Sequence, residues 1–149
     1  MLRLNELDIE HEPLVYRYDR MGARIAADAL GLPHDIVLKS LVFRAGNDAF
    51  LFALISADAY VSTRKLGRAI GQKHVEAAAP RDAERITGYR IGGISPLGAR
   101  RELPVVIDEA TAKHASLVIN AGSRGTLVRL STRDLVRCTD ADIADIRAS

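Results

Sequence analysis

The chain has 149 residues, 48% hydrophobic and 27% charged, the proportions of a soluble globular protein with material for one domain over 1–149. No apolar run reaches bilayer length, the N-terminus lacks the apolar centre of a secretory leader, and the lone Cys138 excludes an internal disulfide, so a cytoplasmic protein is expected. Net charge is only +2, yet residues 59–101 hold nine basic against three acidic side chains while both flanking segments are net acidic. Such a zone is either a solvated face or an attraction for phosphate.

In chain order, Leu2, Leu4, Leu7 and Ile9 outline a short N-terminal helix, and Pro13 opens an extended piece over 14–18. Ile25, Ala26, Ala29 and Leu30 recur at helical spacing before Gly31 and Pro33 stop the helix. Apolar runs at 36–43 and 50–56 flank Ala45-Gly46-Asn47-Asp48 and predict a β-hairpin. Ser62 is placed to cap a basic helix through Ala69 that Gly71 ends, and Pro80 opens another that ends at Gly88. Further on, 103–108 reads as a buried strand, 110–114 as a short helix, and 117–120 and 126–130 as strands joined by Gly122-Ser123-Arg124-Gly125. Ser131 caps a helix containing Leu135 and Val136, and Asp140 starts a last helix with Ile143 and Ile146. Strands and short helices mix without regular βαβ alternation, which predicts an α+β fold.

Three places depart from ordinary core or surface. The run Gly88-Tyr89-Arg90-Ile91-Gly92-Gly93-Ile94-Ser95-Pro96-Leu97-Gly98, followed by Arg100 and Arg101, holds four glycines, a serine and a proline. Glycine lets backbone approach a ligand, and arginines behind it point to an anionic one. Lys39 stands in a strand apolar on both faces, where lysine is seldom buried without a partner. It either snorkels to water or aims its ammonium into a pocket as a phosphate or carbonyl clamp, in a cavity shared with the glycine bend. The turn Asn120-Ala121-Gly122-Ser123-Arg124-Gly125 is a hairpin connection or, if it faces the first loop, a second wall of N–H donors with Arg124 above it.

Familiar catalytic frames are absent. Gly93 and Gly98 have the glycine separation of a nucleotide P-loop, but Ala99 and Arg100 stand where Lys and Ser or Thr are required, and Pro96 has no N–H. No Gly-x-Gly-x-x-Gly occurs. His11, His34, His74 and His114 are isolated, so no metal site is expected. Cys138 has no surroundings that would lower its pKa. Ser95 lacks the Gly-x-Ser-x-Gly frame and stays a minority candidate for a nucleophile.

The strand lysine in Val37-Leu38-Lys39-Ser40-Leu41-Val42-Phe43, the segment from Val75-Glu76 through Thr87-Gly88-Tyr89, the loop Gly92-Gly93-Ile94-Ser95-Pro96-Leu97-Gly98, Leu103-Pro104-Val105-Val106-Ile107-Asp108 and Gly122-Ser123-Arg124-Gly125 together resemble one family. The chain is similar to the YbaK/prolyl-tRNA synthetase-associated editing domains, most of all the free-standing YbaK type. The resemblance implies an α+β domain around a mixed, partly barrel-like sheet flanked by short helices. It implies hydrolysis, without metal or cofactor, of the ester joining cysteine or another small amino acid to the tRNA for proline. Its implied partners are the tRNA acceptor end and prolyl-tRNA synthetase, with no membrane. By the same resemblance Lys39 holds the charged tRNA end and Gly92, Gly93, Ile94, Ser95 and Pro96 hold the aminoacyl carbonyl, Gly93 and Ile94 being catalytic donors with Lys39. Tyr18 corresponds to an N-terminal tyrosine of the family, and Asn120, Gly122, Arg124 and Gly125 complete the substrate contacts. Leu127 stands where cysteinyl deacylases often carry an acidic residue, and Asn120 where serine is usual.

An aminoacyl ester is already activated, so backbone donors and a positioned water suffice without a protein nucleophile. Two other readings stay open: a tRNA-binding module without turnover, and a small-ester hydrolase using Ser95. The basic middle third favours an RNA ligand over a free ester, and Lys39 with the intact glycine loop favours turnover over binding alone.

Overall fold

Two apolar runs around a glycine turn dictate the centre of the fold, because a hairpin buried on both faces must be covered from both sides. In the computed structural model, which describes residues 4–5, 7–18, 22–46, 49–99 and 102–149, the described elements follow in the order β1 (Glu12–Val15), α1 (Ala23–Leu30), β2 (Leu38–Ala45), β3 (Phe50–Ser56), α2 (Thr63–Ile70), β4 (Val75–Ala77), α3 (Pro80–Thr87), β5 (Val105–Asp108), a 3-10 turn (Thr111–Lys113), β6 (Ser116–Ser123), β7 (Thr126–Ser131), α4 (Thr132–Thr139) and β8 (Asp142–Ala144). The expected turn residues Asn47 and Asp48, the N-terminal Leu2, and the basic pair Arg100 and Arg101 lie outside the described residues.

Strands β2 and β3 pair antiparallel from Leu38 opposite Ser56 to Arg44 opposite Phe50. They form the middle of a mixed sheet ordered β4-β2-β3-β5-β8, in which β5 runs parallel to both β3 and β8. A second, antiparallel sheet is ordered β1-β7-β6. The two meet at an isolated bridge between Val37 and Val118, without closing into a barrel.

Alternation along β3 divides the interior. Phe52 and Leu54 point into the main core with Ile107, Leu117, Ile119 and Val128, which α3 and α4 close with Ile86 and Leu135. Leu51 and Ala53 point the other way, against Leu66 of α2 and Ile146. A third cluster places Ala26 and Ala27 of α1 over Val37, Val118 and Leu127. Each fully buried Leu, Ile or Phe contributes about 1.5–3 kcal/mol by removal from water.

The helix signals act as the sequence predicts. Ser62 Oγ accepts the Lys65 N–H at 3.2 Å and Ser131 Oγ the Asp134 N–H at 3.1 Å, satisfying first-turn donors. Gly31, Gly71 and Gly88 end α1, α2 and α3 in the left-handed conformation. The C-terminus departs from expectation: the segment read as a last helix is β8, parallel to β5, with Ile143 opposite Ile107. A three-residue spacing of Ile143 and Ile146 reads as helical, but the edge of β5 offered backbone partners that an isolated short helix lacks. No helix among the described residues is long and apolar enough to cross a membrane.

Candidate active site

The glycine loop is held from four sides. Ile91 donates its N–H to Glu84 Oε2 at 2.9 Å, and its carbonyl accepts from Arg124 Nε at 2.9 Å. Tyr89 Oη donates to the Leu97 carbonyl at 2.6 Å, and burial pushes that phenol's pKa up, so the proton stays on. Ser95 Oγ accepts the Leu97 N–H at 3.1 Å. Below these clamps Ile94 and Leu97 are buried in the main core. A loop fixed in this way presents its amides without reorganising, the condition under which backbone dipoles stabilise developing charge.

The second glycine turn faces the first. A Cβ on Gly93 would lie 3.1 Å from the Arg124 amide nitrogen, so the two backbones touch where glycine stands. Gly92 has φ +93°, and a Cβ there would come 2.5 Å from Tyr18 Oη. Gly125 approaches the Tyr16 carbonyl and Tyr18, Gly122 fits against the Tyr89 ring, and the Arg124 guanidinium lies 5.4 Å from the Tyr18 ring centre. Tyr18, Gly92, Gly93, Gly122, Arg124 and Gly125 are thus brought together.

Beside this junction lies a cavity of about 420 Å³. Its walls are the start of α1 (Gly22, Ala23, Ala26), Leu38 and the run 40–43 of β2, the chain around Ala78, and the loop residues Ile91, Gly92 and Ile94, with Asn120 and Leu127 completing it. The N–H groups of Gly92 and Ile94 have no hydrogen-bond partner among the described residues, and neither does the Asn120 side chain; the Gly93 N–H, expected as a catalytic donor, is instead committed to the Arg90 carbonyl at 2.9 Å, and Gly93 does not line the cavity. Ser40 Oγ is likewise buried without a partner. The lining is mostly aliphatic, with unpaired donors along one wall.

Lys39 is placed differently from expectation. It neighbours Leu38 and Ser40 but does not line the cavity; its Nζ donates to the Ala59 carbonyl and lies 4.2 Å from the Tyr60 ring centre. On a strand, successive side chains face opposite ways, so Lys39 points away from Leu38 and Ser40; Leu41 and Phe43, on its own face, reach the lining further along β2, and Lys39 does not. It is half-buried, and burial first, then the Arg24 guanidinium, lower its pKa, with Asp58 opposing. Ser95 is fully buried outside the lining, its hydroxyl committed to the turn, and Pro96 is half-buried beside it. Among the described residues no group of three His, Cys, Asp or Glu is placed to hold a metal ion.

Sequence reasoning missed Glu84, Tyr89 and Ser40 as parts of this site. Glu84 carries no local signal, since it reaches the loop across seven residues. Ser40 was legible by alternation, because the neighbour of an inward or outward Lys39 must face the opposite way.

Known proteins are similar to this chain over most of its length. Residues 20–138 match the aminoacyl-tRNA editing domain family. Over 146 residues the chain is 26% identical to an Enterococcus faecalis protein with the provisional name Cys-tRNA(Pro)/Cys-tRNA(Cys) deacylase EbsC, covering 98% of this chain and 89% of that one. It is 34% identical over 107 residues to the proline–tRNA ligase of Trichlorobacter lovleyi, covering 72% of this chain and only 19% of the ligase. A crystal structure described provisionally as a trans-editing enzyme for prolyl tRNA synthetase superposes with TM-score 0.84 at 26% identity, over 93% of this chain and 87% of that one. Sequence and fold agree: the chain belongs to the aminoacyl-tRNA editing domain family, of the YbaK type.

Proposed function

We propose that the chain is a trans-editing deacylase, with 1–149 acting as one editing domain. It hydrolyses the ester between cysteine, or another small amino acid, and the 3′ end of the tRNA for proline, correcting products of prolyl-tRNA synthetase in the cytoplasm without a metal or cofactor. The observation that carries this reading is the clamped loop whose Gly92 and Ile94 border the cavity with unpaired N–H groups. The names of the similar deacylase and trans-editing proteins support it.

In this reading the aminoacyl group enters the cavity and its carbonyl meets the loop amides. Water adds to the carbonyl carbon, and the oxyanion that forms is held by those N–H groups, each worth on the order of 10²–10³ in rate. The bond to the ribose oxygen then breaks, that oxygen takes a proton, and free amino acid and tRNA leave. Asn120, Tyr18, Gly93, Gly122, Arg124 and Gly125 shape the mouth, while Ser95 and Pro96 hold the loop. Lys39 holds the RNA end from the opposite face of β2. Leu127, in the cavity wall, makes selection a matter of size and shape, since one methylene is worth only about 1–3 kcal/mol.

The test is a panel of mischarged tRNAs, with ester loss followed against the spontaneous rate. Cysteine on the tRNA for proline should be released and cognate proline spared. Salt-dependent binding with no release would mark a binding module instead. Hydrolysis of free esters without tRNA would restore the small-ester hydrolase reading.

A further inference from the structure

Tyr60 is a large aromatic residue left 64% exposed, just beyond the end of β3. Two cations attend its ring: Lys39 Nζ at 4.2 Å and the Arg24 guanidinium carbon at 5.9 Å from the centre. Both are held by main-chain carbonyls, Lys39 on Ala59 and Arg24 Nε on Ala57 at 3.1 Å, and neither makes an ion pair with a carboxylate among the described residues. Two like charges gathered on one ring repel each other: burial first, and then the Arg24 charge, lowers the pKa of Lys39, with Asp58 only partly offsetting them. An anion between them would relieve the repulsion.

The ring segment is rigid. The Tyr60 carbonyl accepts the Ala148 N–H at 2.8 Å, and Val61 pairs with Arg147 in an isolated bridge. It also adjoins the cavity, since Arg24 follows directly on Gly22 and Ala23 of the cavity wall and Lys39 sits between Leu38 and Ser40. A fixed, exposed aromatic flanked by cations is the arrangement that single-stranded nucleic acid uses: a base stacks on the ring and its phosphate meets the charges.

We propose that Tyr60, with Lys39 and Arg24, is a stacking platform for a base of the single-stranded RNA end whose amino acid occupies the cavity. The proposal rests on the editing function proposed above, and adds a nucleotide subsite on the other face of β2. Lys39 and Arg24 take the phosphate beside the stacked base. Tyr60 takes its π face.

The test compares binding of two uncharged RNA hairpins, one with a single-stranded 3′ CCA overhang and one blunt. Wild type should prefer the overhang by about 10- to 100-fold, the range of one aromatic–base stack. Tyr60→Leu should bind both hairpins alike, Tyr60→Phe should keep the preference, and Arg24→Ala should weaken binding and reduce the salt slope by about one. Each variant should melt with wild type, because Tyr60 and Arg24 are exposed. No overhang preference in wild type, or an intact one in Tyr60→Leu, would overturn the platform. With mischarged tRNA, Tyr60→Leu should raise KM by the same factor and leave kcat within about threefold; loss confined to kcat would also overturn it. An intact overhang preference in a wild type that releases no amino acid would sink the editing function alone.

Discussion

Gly93 lies against Arg124 so closely that a Cβ on the glycine would sit 3.1 Å from the arginine's amide nitrogen and 3.1 Å from the Ser123 carbonyl carbon. Both neighbours are backbone, which cannot swing aside as a side chain would. Gly93→Ala therefore separates the two glycine turns and moves the Gly92 and Ile94 donors off the carbonyl they are proposed to meet. Deacylation should fall by about 10²-fold or more, the worth of one misplaced oxyanion donor. Circular dichroism and melting should show a folded protein. Full activity in Gly93→Ala would remove the loop from the chemistry.

Ser95 separates a chemical role from a structural one. Its hydroxyl is fully buried and already accepts the Leu97 N–H. Ser95→Ala leaves that buried donor unpaired, at a cost of about 1–3 kcal/mol. The variant should melt earlier and, below its transition, keep kcat within a few-fold of wild type. Complete loss of turnover in a folded Ser95→Ala protein would revive the nucleophile.

Much of this arrangement was legible because its causes are local. Ser62, Ser131, Gly31, Gly71 and Gly88 act within one helical turn, so residue type alone places the helix ends. The glycine loop announced itself by composition. Lys39 was legible as an anomaly but not in direction: β2 is apolar on both faces, so alternation says which residues share a face and not which face borders the cavity. The C-terminal segment failed for a related reason. Asp142 to Ile146 has too few residues to express a period, and parallel pairing with β5, about 35 positions earlier, decided its state. Glu84 on Ile91 and Tyr89 on Leu97 are side-chain-to-backbone bonds across loops, for which sequence carries no spacing rule.

Lys39 gives a signed dependence on pH. Its ammonium faces Arg24, Asp58 and the Tyr60 ring, and burial followed by Arg24 holds its pKa below the ordinary 10.5. Between the lowered folded value and the unfolded one, the unfolded chain binds more protons, so stability rises with pH through that window and the penalty is complete below it. Lys39→Met keeps the stem and removes the charge. It should melt at or above wild type near neutral pH, with the gap narrowing toward 10.5, while RNA-end binding and deacylation fall. A variant less stable at neutral pH, or fully active, contradicts the role assigned to this ammonium.

Asp108 ties the C-terminal tail to the platform. Only 1% exposed, it accepts the Ile146 N–H at 3.2 Å on one oxygen, and on the other Arg147 Nε at 3.1 Å and Thr111 Oγ1 at 3.3 Å. Asp108→Ala strands Arg147 without its carboxylate and should lower stability by about 3 kcal/mol, the low end for breaking a buried pair because Arg147 keeps some contact with water. Amide exchange should quicken first in β8 and in the tail that holds Val61 and the Tyr60 carbonyl. No β8 residue lines the cavity, so kcat should persist at temperatures where the variant is folded. KM and the preference for a CCA overhang should instead worsen, because the ring loses its fixed position while the amide loop does not. A fall in kcat with unchanged KM would mean that the tail supports the cavity and not the Tyr60 face.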